Sequence, residues 1–246
     1  MMRILLATIL LLTTATISHA QLPGLCPPSS IALSNTCASS CVLCDFTTFT
    51  SSNNTPPSGQ QVPPNFCPGQ AILPHNVQWV GFVAGSTNIT MEITPSACSL
   101  GANNGLQVGI WGTTDCNSFT LASNCVYQAP PNQPTTLTLT GLTVGGTYFF
   151  VVDGHSDDVC QFTVNVTSGT TVAPPVTAAP TINAPSGLYC PGGTYTFSSS
   201  SVANAGVYNW TLDGVNVGSD QTVTITLPPN PTGTYNLCVT PSNTCH

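Results

Sequence analysis

The chain has 246 residues and a net charge of −7, with Arg3 as its one Lys or Arg against eight carboxylates. Phosphate contacts and attraction to anionic lipid need Lys or Arg, so this composition excludes nucleic-acid binding and an electrostatic membrane surface. It also excludes Lys or Arg salt bridges, a catalytic lysine and an arginine clamp, and leaves Thr, Ser, Asn and Gln to supply the polar surface.

Residues 1–20 read as a secretory signal peptide: a basic start at Arg3, an apolar run from Ile4 to Leu12, and a small-residue exit ending at Ala20. Cleavage there leaves Gln21 first and removes Arg3, so the mature chain carries no Lys or Arg. The apolar run is too short to span a bilayer, and no membrane insertion is expected later in the chain. Twelve cysteines in an exported chain predict disulfides before metals. They are Cys26, Cys37, Cys41, Cys44, Cys67, Cys98, Cys116, Cys125, Cys160, Cys190, Cys238 and Cys245. Their even number permits complete pairing, and the pairing itself stays open.

After the signal peptide, Pro, Gly, Ser, Thr and Asn recur too often for helices, and short period-two alternations predict an all-β protein of tandem β-sandwiches. Residues 21–66 form a cysteine-rich leading segment around Cys37, Cys41 and Cys44, in which Ser51–Pro64 reads as a polar, proline-rich loop. Residues 67–167 read as a β-sandwich or jelly-roll domain. Its strands surround Trp79 and Phe82, then Ile89, Met91 and Ile93, then Leu106, Val108 and Ile110, then Leu137 and Leu139. Tyr148–Val152 is continuously apolar and fits a central strand buried on both faces. Phe162, Val164 and Val166 close the set, with Cys160 in the same register. Residues 168–184 are a Pro- and Thr-rich linker expected to stay extended and hold its neighbours apart. Residues 185–246 begin a second, immunoglobulin-like β domain with four clear strands around Trp210. The pattern stops before an immunoglobulin-like sandwich of about seven strands is complete, so the sequence reads as a fragment.

Several stretches carry a family resemblance. They are His75–Ser86, Thr94–Cys98 with Gly105–Ile110, and Tyr148–Gly154 running on to Asp158, Val159 and Cys160. Together they resemble the N-terminal region of large secreted surface proteins of Bacteroidota. There a CUB or pre-peptidase-like β domain precedes a PKD-like domain, and the chain often ends in a gliding-motility or type IX secretion sorting domain. Trp210–Gly214 and Gly233, Thr234 and Tyr235 look like the PKD-like module. The resemblance implies display outside the cell and an adhesin-like role. It supplies no functional residues.

The sharpest candidate site is the turn Asp153-Gly154-His155-Ser156-Asp157-Asp158. Asp153, Asp157 and Asp158 are candidate oxygen ligands for calcium, a hard cation, although the spacing is not that of an EF-hand loop. The alternative is a solvated turn whose Asp and Gly residues serve its geometry. Cys41-Val42-Leu43-Cys44 lacks the βαβ context of a redox motif and a matching pair for zinc, so structural disulfides are the expectation. No nucleophile elbow, zinc helix or nucleotide loop is present, and nothing marks a pair of acids for glycoside hydrolysis. Trp79 and Trp210 sit in core registers, whereas Trp111, before Gly112, is the candidate for an exposed sugar platform. Asn53, Asn88, Asn165 and Asn209 lie in N-x-[ST] sequons, three of them on polar strand faces and expected to be accessible. The expected function is a noncatalytic extracellular binding or structural module that meets a glycan or a protein surface. The rival reading is the accessory β region of a secreted hydrolase.

Overall fold

The computed structural model describes residues 22–27, 31, 33–54, 59–70, 73–229 and 234–246. The signal peptide read at residues 1–20, with Gln21 and Gly233, lies outside them. The described residues form β structure throughout, with one short 3-10 turn at His155–Asp157. Among them no helix is long and apolar enough to cross a membrane.

The first sandwich contains β1 (Val42–Leu43), β2 (Thr48–Ser52), β3 (Gln78–Val83), β4 (Ile89–Ser99), β5 (Leu106–Gly112), β6 (Thr120–Leu121), β7 (Val126–Ala129), β8 (Thr135–Leu139), β9 (Thr147–Gly154) and β10 (Val159–Ser168). One sheet runs β1-β3-β9-β5-β6, with β7 also on β5, and the other runs β2-β10-β4-β8. Period-two alternation explains the inner faces. Val108 and Ile110, Met91 and Ile93, and Phe162 and Val164 all turn into one cluster with Phe82 and Phe150. The leading segment does not stand apart: β1 pairs with β3 and β2 pairs with β10, giving one strand to each sheet. The loop expected over Ser51–Pro64 therefore starts inside a strand.

β9 is the expected doubly buried strand, with Phe149, Phe150, Val151 and Val152 all fully buried. Its second face is covered by a further layer. Phe66 and Cys67, with Val62 and Phe119 half-buried beside them, pack on Trp79, Trp111, Phe149 and Val151. Disulfides Cys37–Cys116 and Cys67–Cys125 hold this cover. Two glutamines bond it to the sheet. Gln60 accepts from Val77 N (2.7 Å) and donates to His75 O (3.0 Å). Gln61 accepts from Cys37 N and donates to Cys116 O, while its own carbonyl takes the Trp79 indole N–H at 2.9 Å.

The second sandwich contains β11 (Ile182–Asn183), β12 (Thr194–Ser199), β13 (Val207–Leu212), β14 (Val215–Gly218), β15 (Thr222–Thr226) and β16 (Leu237–Ser242). Two three-stranded sheets, β11-β12-β15 and β14-β13-β16, enclose Phe197, Tyr208, Trp210, Val223 and Ile225. The two strands beyond the four expected are β11, only two residues long, and β14, which follows β13 through the Asp213-Gly214 turn.

The linker is docked rather than an open spacer. Thr171 and Ala173 are buried, Ala173 N donates to Cys44 O, and Pro174 O accepts from Asn243. Disulfide Cys44–Cys245 ties the first sandwich to the far end of the second across 201 residues of sequence. At the same junction Gly145 has φ +84°, and a Cβ there would sit 1.9 Å from Asn204 O, so only glycine lets the two backbones meet.

Five disulfides form in all, the others being Cys26–Cys41 and Cys98–Cys160. Such cross-linking belongs to an oxidising compartment. Complete pairing is not reached: Cys190 and Cys238 are free and exposed. Cys238 alternates with Leu237 and Val239, which pack on the core, so its thiol points outward. Native protein should titrate two thiols with a chromogenic disulfide reagent, and a C190S/C238S variant none, with an unchanged melting temperature. A different native thiol count would refute this pairing.

Candidate functional site

The acidic turn between β9 and β10 is a sealed polar knot. β9 brings Asp153 into register with Phe149 and Val151, on the face covered by residues 59–70. Asp153 is fully buried, and its Oδ1 accepts from the backbone N–H of His75 (3.1 Å) and Asn76 (2.8 Å). Oδ2 has no hydrogen-bond partner among the described residues, and the same is true of Oε1 of buried Gln107, the residue opposite on β5. Burial pushes the Asp153 carboxyl above the usual carboxylate range, although the Asn76 and His75 N–H groups and the His75 ring pull the other way.

Asp158 is equally buried but differently engaged. Its carboxylate oxygens accept from Asn103 N (2.9 Å) and Gly105 N (2.7 Å), which fixes the loop leading into β5. Gly105 has φ +93°, and a Cβ there would meet Ala129 O at 1.8 Å. The Asp158 carbonyl accepts from both Asn53 Nδ2 (2.9 Å) and Asn76 Nδ2 (3.0 Å). Asn76 Oδ1 in turn accepts from Gly154 N (2.6 Å) and Asn53 Nδ2 (3.0 Å), and Asn53 Oδ1 from Cys160 N (2.7 Å). Asn53 and Asn76 thus stitch β2, β3, β9 and β10 together at one end. Asp157 is exposed and meets His75 Nε2 at 3.5 Å.

The three acids read as calcium ligands are therefore directed to three different partners. Among the described residues, the single group of three candidate ligand atoms within 4.8 Å of one another is Cys98, Asp158 and Cys160. Its two sulfurs are joined in a disulfide. The elements of a nucleophilic triad are likewise divided. Ser156 Oγ lies 3.1 Å from His155 Nδ1, while the carboxylate of Asp157 meets the other histidine, His75. A triad needs one imidazole between nucleophile and acid. The two cysteines of the C-x-x-C stretch go separate ways, Cys41 to Cys26 and Cys44 to Cys245, as structural bridges.

Trp111 is not a surface platform. It is 1% exposed and packs against Phe66, ring centroids 4.8 Å apart and tilted by 54°, because the covering layer reaches over the end of β5. Trp79 and Trp210 are fully buried, as their registers indicate. Among the sequons, Asn88 and Asn165 are exposed, Asn209 is half-buried and Asn53 is fully buried in the knot. Expressed in a glycosylating eukaryotic host, the protein should carry glycans at Asn88 and Asn165 and none at Asn53. Peptide mapping checks this; a glycan on Asn53 in folded protein would contradict the knot.

Two open clefts among the described residues were not visible in the sequence. One, of about 410 Å³, lies between the sandwiches among Pro23, Thr114, Asn209, Asp220, Asn243 and Thr244. The other, of about 480 Å³, lies beside β2 among Leu33, Thr50, Ser52, Asn54, Gln78 and Gln161. Gln78, between Val77 and Trp79, breaks the apolar stretch that leads into β3, its one sequence signal; nothing marked Asn54 or Gln161. Comparison with known protein families and with curated protein sequences finds no match.

Proposed function

We propose that this chain is a noncatalytic extracellular binding or structural module of a larger cell-surface protein, acting as part of an adhesin. One observation carries the reading. Both buried acids of the β9–β10 turn and all three tryptophans lie inside the fold, so the groups best suited to chemistry serve architecture. What faces outward is mostly hydroxyl and amide surface, with Asp45, Asp157, Asp213 and Asp220 as exposed carboxylates. On the second sheet this comprises Thr136, Thr138, Asn165 and Gln161 around half-exposed Glu92, with Thr50 and Thr163 side by side across β2 and β10.

Secretion read from residues 1–20, the oxidised cysteines and the resemblance to Bacteroidota surface proteins all support placement outside the cell. The partner on this reading is an extracellular glycan or protein surface. Adhesion of the purified chain to cell-surface preparations, together with a glycan array, tests it. Saturable binding to one class of surface is expected. Absence of binding to either, or turnover of a peptide or glycoside substrate, would overturn it.

A further inference from the structure

We infer that the free edge of β2 is a docking site for an uncharged, extended peptide strand. The inference rests on the binding-module reading above and names the class of partner.

Three observations meet at this edge. First, β2 ends its sheet, with β10 as its one strand partner among the described residues. Val166 N donates to Thr47 O and Asn53 N donates to Cys160 O. In an antiparallel ladder the bonding direction alternates residue by residue. The N–H and C=O groups of Phe49 and Ser51 therefore face β10, as do Thr47 O and Asn53 N, and those of Thr48, Thr50 and Ser52 face away; Thr47 N donates instead to Asp45 Oδ1 at 2.8 Å.

Second, among the described residues no strand or backbone hydrogen bond covers this edge, although Ile31 and Leu33 lie in the cleft beside Thr50 and Ser52. Natural edge strands are blunted by charge, proline, a bulge or a covering loop. Thr48-Phe49-Thr50-Ser51-Ser52 contains no charge and no proline, and its register with β10 is unbroken. The opposite edge of the same sheet shows the contrast. There Asn124 covers β8: its N–H and Nδ2 donate to Thr138 O and Thr136 O, and its Oδ1 accepts from Thr138 N at 2.6 Å.

Third, the cleft beside the β2 edge contains a buried acceptor without a donor. Gln78 is 7% exposed; its Nε2 donates to Asn54 O at 3.0 Å, and its Oε1 has no partner among the described residues. A buried carbonyl left unpaired is costly, and a strand N–H arriving in the cleft would satisfy it.

The chemistry selects the occupant. The cleft is lined by hydroxyls, amides and aliphatic side chains with no titratable group, so it fits a neutral ligand. A row of alternating N–H and C=O groups matches a peptide backbone, which is how β-augmentation gains affinity. A sugar would want an aromatic platform, and the tryptophans are all buried.

The test uses the mature chain and a panel of fluorescein-labelled, proline-free hexapeptides that alternate Thr with Val, Ile, Leu or Ser. Anisotropy should show saturable binding of at least one peptide. Binding should be lost when alternate amides of that peptide are N-methylated. Thr50→Pro removes an edge-facing N–H while leaving the β10 ladder intact, and should abolish binding. Gln78→Leu should weaken it about tenfold, the effect of one lost hydrogen bond. Amide hydrogen exchange on the unmutated protein does not depend on the variants folding: Thr48, Thr50 and Ser52 should exchange fast alone and slow with peptide. The inference is overturned if no peptide binds, if Thr50→Pro or the methylated peptide binds equally well, or if neutral oligosaccharides protect the edge instead. Should the peptides fail while the intact chain still adheres to surfaces, the docking strand is wrong and the binding-module reading stands.

Discussion

Asp158→Ala should destabilise the protein by about 2–5 kcal/mol, because it strands two backbone N–H groups that the buried carboxylate accepts. Those donors are Asn103 N and Gly105 N, and they hold the approach to β5, the strand that pairs with central β9. For a chain of this size each kcal/mol moves the midpoint by about 2–4 °C, so a fall of roughly 5–15 °C is expected. Asp158→Asn keeps one acceptor oxygen and should lose about half as much. Asp157→Asn, one residue away, removes the charge that meets the His75 ring while keeping a residue type that tolerates the left-handed backbone there (φ +66°), and should stay within about 0.5 kcal/mol. Thermal melts of the three variants at neutral pH decide the matter. Equal effects at 157 and 158 would mean that the turn is a solvated acidic loop, and a midpoint rise in millimolar calcium would restore the metal reading.

Asp153→Asn should do the opposite and stabilise the protein at pH 7. The carboxyl is buried, with Oδ2 unpartnered and the Gln107 carbonyl oxygen unpartnered on the neighbouring strand. An asparagine keeps an oxygen for His75 N and Asn76 N and brings an N–H₂ that can donate toward Gln107. One net hydrogen bond is worth about 1 kcal/mol, and removing the cost of ionising a buried acid adds to it. The pH dependence follows from the direction of the shift. The folded carboxyl titrates above its unfolded value, so its contribution to stability is complete below the unfolded pKa and is lost as pH rises through the folded one. Unmutated protein should therefore lose stability relative to Asp153→Asn as the pH climbs from about 4 toward 7. The difference between the two curves isolates this group from Asp115, whose carboxylate is held low by the Ser118 and Asn117 N–H groups and shifts stability the other way. An asparagine variant less stable than the parent at pH 7 would show that the folded protein uses the charge.

These three acids also show where reading the sequence succeeds and where it stops. Alternation reports which way a strand residue points, and it marked Met91 and Ile93 as inward. That was legible. Asp153 was read as part of the turn, and β9 carries it on one face with Phe149 and Val151. What lay over that face was not legible, because the cover at residues 59–70 has no periodicity and is held by glutamine side chains and two disulfides. Once the cover is known, the burial of Trp111 follows too. Tyr148–Val152 was readable as central because an uninterrupted apolar strand has no other place in a sheet. Cysteine spacing carried no pairing information, and two thiols stay free because their positions, one on an outward register and one in a turn, offer no partner. The β2 edge and the orphan oxygen of Gln78 belong to strand order, which no local pattern encodes.

The Cys44–Cys245 bridge has a mechanical consequence. A load applied between the segment before Cys26 and the residue after Cys245 travels through Cys26–Cys41, the short stretch to Cys44, and the bridge to Cys245. Apart from β1, which lies on that route, the two sandwiches hang from it as slack loops while the sulfurs stay joined. Pulled between those two points, the chain would lengthen by a few residues' contour before the bridge itself bears the load, and reduction of that bridge would pass the force to the sandwiches.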